Sequence, residues 1–168
     1  MSSDSVPKIV IRRARIAERP VVRRLLELYL FDLSRIDGRG VDRRARYGYP
    51  YLNAYWRERG RFPYVMRVDG KWAGFALVNR WSPLEGADWS VAEFFILPPY
   101  RQRGFGDVLA RWIFAHHKGT WHVAELRANR EGTAFWRKVI GRFTRGRYDE
   151  KSIRTEEWDG PIQIFVSN

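Results

Sequence analysis

The chain has 168 residues, nearly half of them hydrophobic, no cysteine and a formal net charge of +12. That composition folds around a sizeable core and excludes disulfides, thiolate metal sites and a cysteine nucleophile. No apolar run reaches the ~20 residues that cross a bilayer, and the opening residues lack a basic segment followed by an apolar one, so one cytoplasmic domain over residues 1–168 is expected. The positive charge suits a nucleic acid or a polyanionic cofactor. The arginines are scattered from Arg12 to Arg147 without one long basic tract, which disfavours nucleic acid.

Ile9-Val10-Ile11 predicts a first strand. Val21, Val22, Leu25, Leu26, Leu28, Tyr29 and Leu33 then recur as a wide helical stripe, with Pro20 near its start, and read as core. Residues 37–63 are irregular, punctuated by glycine and proline and crowded with Tyr47, Tyr49, Tyr51, Tyr55 and Trp56. Leu52 to Arg59 suits a short helix. The aromatics suit base stacking, an acceptor pocket or core cover.

Tyr64–Val68 and Lys71–Val78, joined by Asp69-Gly70, predict a hairpin with a type I′ turn. After a loop over 79–87, Asp88 to Leu97 returns as an antiparallel strand, and Pro98-Pro99 stops it because proline cannot donate to a ladder. Val108, Leu109, Trp112, Ile113 and Phe114 give a helix from Asp107, which His116-His117-Lys118-Gly119 ends with glycine as the stop. Trp121–Leu126 reads as a strand and Gly132–Ile140 as a helix. Phe143, Tyr148 and Ile162–Val166 suggest two closing strands. His116 and His117 are adjacent and share no helical face, so no metal site with His122 is expected.

Between the strand ending at Leu97 and the helix after it lies Arg101-Gln102-Arg103-Gly104-Phe105-Gly106. The first amides of a helix have no intrahelical partner and carry the positive end of its dipole. Glycines let an anion approach them, and arginines suit phosphate oxygens, so this turn reads as a diphosphate cradle. It is not a P-loop, which would need Gly-Lys-Ser/Thr, and Leu109 spoils a dinucleotide fingerprint.

These residues resemble the GNAT superfamily of acyl-CoA-dependent N-acetyltransferases. Its signature, Gln/Arg-x-x-Gly-x-Gly/Ala between a strand and a helix, is met at Arg101 to Gly106. A second family element, an Asn followed by Ala and an aromatic pair on a helix, is met by Asn129, Ala134, Phe135 and Trp136. The resemblance implies an α/β (α+β) fold, a mixed, mostly antiparallel central sheet of six to seven strands flanked by helices. It also implies acetyl-CoA as cosubstrate, an amine acceptor and no metal. The acceptor stays open, as does the oligomeric state, a homodimer included.

By that resemblance, the pantetheine arm runs along the strand ending at Leu97, bonded by main-chain groups of Phe95, Ile96 and Leu97. Asn129 matches the position whose amide contacts that arm, although it also suits a helix cap. Glu93 and Glu125 are carboxylates in otherwise apolar strands, so burial raises their pKa and suits them to general-base work; the alternative for each is a salt bridge, and Glu93 is preferred. Many members carry a proton-donating Tyr where this chain has Trp136. Indole cannot serve as that acid, which leaves solvent or Tyr148 and frees Trp136 to pack on the arm. Two other readings stay open: a basic nucleic-acid-binding module, and a CoA-binding relative without turnover.

Overall fold

The structure, a computed structural model, describes residues 6–168. Residues 1–5, which bear on the expected lack of a leader, lie outside the described residues. Among the described residues one seven-stranded sheet forms, in the order β1-β2-β3-β4-β5-β7-β6. The strands are β1 Ile9–Arg13, β2 Phe62–Val68, β3 Lys71–Asn79, β4 Trp89–Ile96, β5 Gly119–Ala124, β6 Asp149–Arg154 and β7 Asp159–Ser167. The helices are α1 Arg19–Asp37, α2 Phe105–His116 and α3 Arg130–Thr144. Every strand pairing is antiparallel except β4 with β5.

Helix α1 carries Pro20 in its first turn and stops at Gly38, whose φ of 72° takes the left-handed conformation glycine adopts without strain. Of its buried stripe, Val22, Leu25 and Leu26 pack with Leu52, Tyr55, Phe75, Leu77 and Phe95 on one face of the sheet. On the other face α2 and α3 bring Leu109, Ile113, Phe114, Trp136, Val139 and Ile140 against Met66, Ala76, Trp121 and Phe165. The sheet is thus buried on both sides, and its central strands read as near-continuous apolar runs. Asp69 and Gly70 both have positive φ, 49° and 77°, the type I′ geometry expected of the hairpin.

Several boundaries differ from the sequence-based expectation. Helix α2 starts at Phe105, earlier than Asp107, and Gly119 opens β5 instead of ending α2. The helix stops because His117 turns to extended backbone and buries its ring against the Tyr64 hydroxyl, 2.7 Å away. Phe143 belongs to α3, which runs on to Thr144, and Tyr148 precedes β6. Among the described residues no helix is long and apolar enough to cross a membrane.

Candidate active site

Strands β4 and β5 pair only at Trp89–Trp121 and Ser90–His122, and then diverge. A parallel pair must be joined by a crossover, here α2, and the N-terminus of α2 sits where the two strands have separated. The opening is a cleft of about 1250 Å³ that runs from the Arg101–Asp107 turn, past Glu93 and Glu125, to Trp81 and Trp158.

At one end Gly104 has φ 84° and nothing within 4 Å of where a Cβ would stand. Gln102 is also left-handed, at φ 57°. The main-chain amides of residues 102–107 have no hydrogen-bond partner among the described residues. A turn with open space over its glycine and uncommitted amides fits a phosphate group, as the sequence reading expects. The side chains divide differently. Arg101, Gln102, Gly104 and Gly106 line the cleft, but Phe105 is buried core against Tyr100. Arg103 lies outside, over the Phe105 ring. Arg101 is committed within the chain: Nε donates to the Ile96 carbonyl at 2.7 Å and a terminal nitrogen pairs with Asp32 of α1 at 2.6 Å. It fastens the turn to β4 and α1. Lys138 and Arg142, one turn apart on α3, line this end and were not picked out from the sequence.

Along β4 the register slips at Leu77/Val78, because Ala92 is an extra residue with no partner on β3. Val91 faces the α2–α3 core, and without the bulge Glu93 would share that face. With it Glu93 faces α1, near the phenols of Tyr29 and Tyr49. Burial pushes Glu93 up to about 7, against the pull of those two phenols and of Arg39. Leu97 N–H donates to Ala73, so by the alternation of an antiparallel ladder Phe95 and Leu97 bond β3, while Phe94 and Ile96 face the opening. The expected Phe95–Leu97 edge is therefore corrected to Phe94 and Ile96, the Ile96 carbonyl being taken by Arg101.

Glu125 follows β5 on the opposite lip. Asn129 Nδ2 donates to one oxygen at 2.7 Å and Trp136 Nε1 to the other at 2.9 Å. Asn129 Oδ1 meanwhile accepts from Gly132 N–H at 3.0 Å and caps α3, the cap that the sequence also suits. A Cβ on Gly132 would stand 2.4 Å from Asn129 Nδ2 and displace it. Burial raises Glu125 to about 7, with the Trp136 and Asn129 bonds holding it down. Trp136 is 3% exposed and packs against Phe94, so its indole anchors Glu125 from the core. Trp136→Phe removes that donor, and the Glu125 pKa is expected to rise further above its ordinary value. Carbon-13 NMR titration of the side-chain carboxyl would read this, and no change would show that the indole does not hold it.

Tyr148 does not line the cleft; it packs near Gly141 at the far end of α3 and is no candidate for the acid. Tyr29 does line it, while also packing against Phe75 and Phe95 in the core as its helical spacing predicts. Among the described residues no group of three His, Asp or Glu stands close enough to hold a metal ion.

The sequence profile of the Acetyltransferase (GNAT) family matches residues 23–141 of the chain. No curated protein matches it in sequence. Among solved structures, an acetyltransferase from Thermus thermophilus superposes with a TM-score of 0.65 at 12% identity, over 95% of this chain and 97% of that one. The yncA protein of Salmonella typhimurium, solved with acetyl-CoA, gives 0.63 at 13%, over 95% and 94%. Spermidine N-acetyltransferase from Vibrio cholerae, with CoA and spermine, gives 0.62 at 9%, over 95% of each chain. At such identities the likeness is one of fold.

Proposed function

The chain belongs to the GNAT acetyltransferase family, and from that premise we propose that it transfers an acetyl group from acetyl-CoA to a primary amine by direct attack in a ternary complex. The observation that carries the proposal is one cleft holding an uncommitted helix N-terminus at one end and two high-pKa carboxylates at its centre. Bound there, acetyl-CoA would supply an activated acyl group. The chain's own part is to hold, to orient and to move a proton.

The amides of residues 102–107, with Lys138 and Arg142, hold the diphosphate end. Main-chain groups of Phe94 and Ile96 form the edge along which the arm lies, and an N–H there polarises a carbonyl. Glu93 takes the proton of the incoming amine as its nitrogen bonds the acyl carbon and the C–S bond breaks, since a base with a pKa near the working pH combines availability with driving force, and the departing thiolate takes its proton from solvent. Tyr29 and Tyr49, raised by burial, stay protonated and orient Glu93. Glu125, clamped by Asn129 and Trp136, completes the far lip.

Calorimetric titration of CoA into the purified protein and thiol release in the presence of amines test the proposal. Saturable CoA binding and amine-dependent release are expected. Failure of the cofactor-free protein to bind either CoA or acetyl-CoA would sink it.

A further inference from the structure

Helix α1 ends at Gly38, and the chain next takes regular form in the 3-10 turn Leu52–Trp56. Leu52 and Tyr55 of that turn join the buried cluster of Val22, Leu25 and Leu26, in the first half of α1. At 1.5 Å per residue the chain must therefore double back roughly 15 Å along the helix. The loop that does so, residues 39–51, contains no strand or helix, and residues 40–46 are all exposed. Within it Asp42 accepts from the amides of Arg44 and Arg46 and closes a small knot. Among the described residues only three hydrogen bonds join residues 40–48 to the rest of the chain, and all three reach α1.

Two of the three meet on one carboxylate. Tyr47 N–H donates to Glu27 Oε2 and Gly48 N–H to Oε1, each at 2.8 Å. The third runs from the Tyr47 hydroxyl to Ser34 Oγ at 3.2 Å, on the same edge of α1. Successive amides converge on an anion in this way where the main chain turns left-handed, and Gly48 has a φ of 73°. Bonds to an ionised acceptor are the stronger kind, which suits them to holding an exposed loop. Glu27 itself does not line the cleft. Its reach into the site is through the loop.

What the loop delivers is Tyr49 and Tyr51, which both line the cleft and stand edge to face, 6.0 Å between ring centres. Tyr51 is 60% exposed, so packing alone does not fix it. We propose that Glu27 is a positioning residue for the acceptor: its carboxylate, bonded to the Tyr47 and Gly48 amides, holds the Tyr49–Tyr51 segment as a wall of the acceptor site. The inference rests on the transferase reading and deepens it. Without the carboxylate the loop spends part of its time away from the cleft, and the apparent acceptor affinity falls by the fraction lost. The phosphate turn is fastened separately, by Arg101 to Ile96 and Asp32, and is untouched.

Glu27→Ala and Glu27→Gln decide it, the second keeping a carbonyl oxygen that can accept one of the two N–H groups. Thiol release with acetyl-CoA is followed for whichever amine the parent protein turns over best, from a panel of amino acids, aromatic amines, polyamines and aminoglycosides. Glu27→Ala is expected to raise the acceptor KM roughly tenfold, about the worth of one hydrogen bond to a charged group, and Glu27→Gln less. At saturating acceptor the loop is drawn back, so kcat should stay within a few-fold, the split that marks lost binding and not lost chemistry. CoA affinity by calorimetry should not move. Native-state trypsin cleavage after Arg43, Arg44 and Arg46 should quicken relative to cleavage elsewhere, which separates loop opening from unfolding. An unchanged acceptor KM, with or without faster cleavage, would overturn the inference. So would a fall in kcat and CoA affinity together, or no turnover of any amine by protein that binds CoA. A parent protein that bound no CoA would instead bring down the transferase reading, whatever the trypsin cleavage showed of the loop.

Discussion

Gly104→Asp is expected to weaken CoA binding by about a hundredfold or more, the loss of one or two charge-assisted hydrogen bonds plus repulsion, while the protein stays folded. Gly104 sits at φ 84° ahead of α2, with open space where a side chain would go. Asp and Asn are the residues other than glycine that enter this conformation most readily, at about 1 kcal/mol. The backbone therefore survives, and the new side chain stands over the uncommitted amides. Gly104→Asn is the control, equal in shape and strain but neutral, and should cost far less. The gap between the two should narrow as salt rises, because it is electrostatic and exposed to solvent. Calorimetric titration of both variants at low and high salt measures this. If Gly104→Asp bound CoA as the parent protein does, the α2 N-terminus would not be holding phosphate.

What could be read from the sequence was local. The strand, the double proline, the glycine turn and the apolar stripe after Asp107 follow one another along the chain, and their physics needs no distant partner. The Asp69-Gly70 hairpin is legible for the same reason. What escaped was decided across the fold. Arg101 has the right residue type for a phosphate ligand, yet Asp32, 69 residues away, claims it. Tyr29 has the spacing of a core residue and is one of the phenols that meet Glu93. Tyr148 was drawn in by its chemistry alone, and the packing of α3 leaves it outside the cleft. The sharpest case is Ala92: a register slip of one residue, invisible in the pattern Val91-Ala92-Glu93-Phe94, turns a carboxylate from the core to the cleft.

Glu93→Gln is expected to lower kcat by about 10²–10⁴-fold, the usual worth of a positioned general base, with CoA affinity preserved. The pH profile is the stricter reading. Burial raises Glu93 to about 7. Only its ionised form can accept a proton, so kcat should climb with pH through that region and level off above it. The acceptor's own ionisation belongs to a higher range, about 10 for a lysine-like amine, and stays when Glu93 is gone. In Glu93→Gln the limb near 7 should therefore vanish. Glu125 titrates in the same range and raises Glu93 by its charge, so the limb belongs to a coupled pair. Removing that charge with Glu125→Gln should leave the limb in place and move it to lower pH. The two variants thus have opposite signatures, one erasing the step and the other shifting it. A step that survived Glu93→Gln and disappeared in Glu125→Gln would transfer the role of base to the carboxylate held by Asn129 and Trp136.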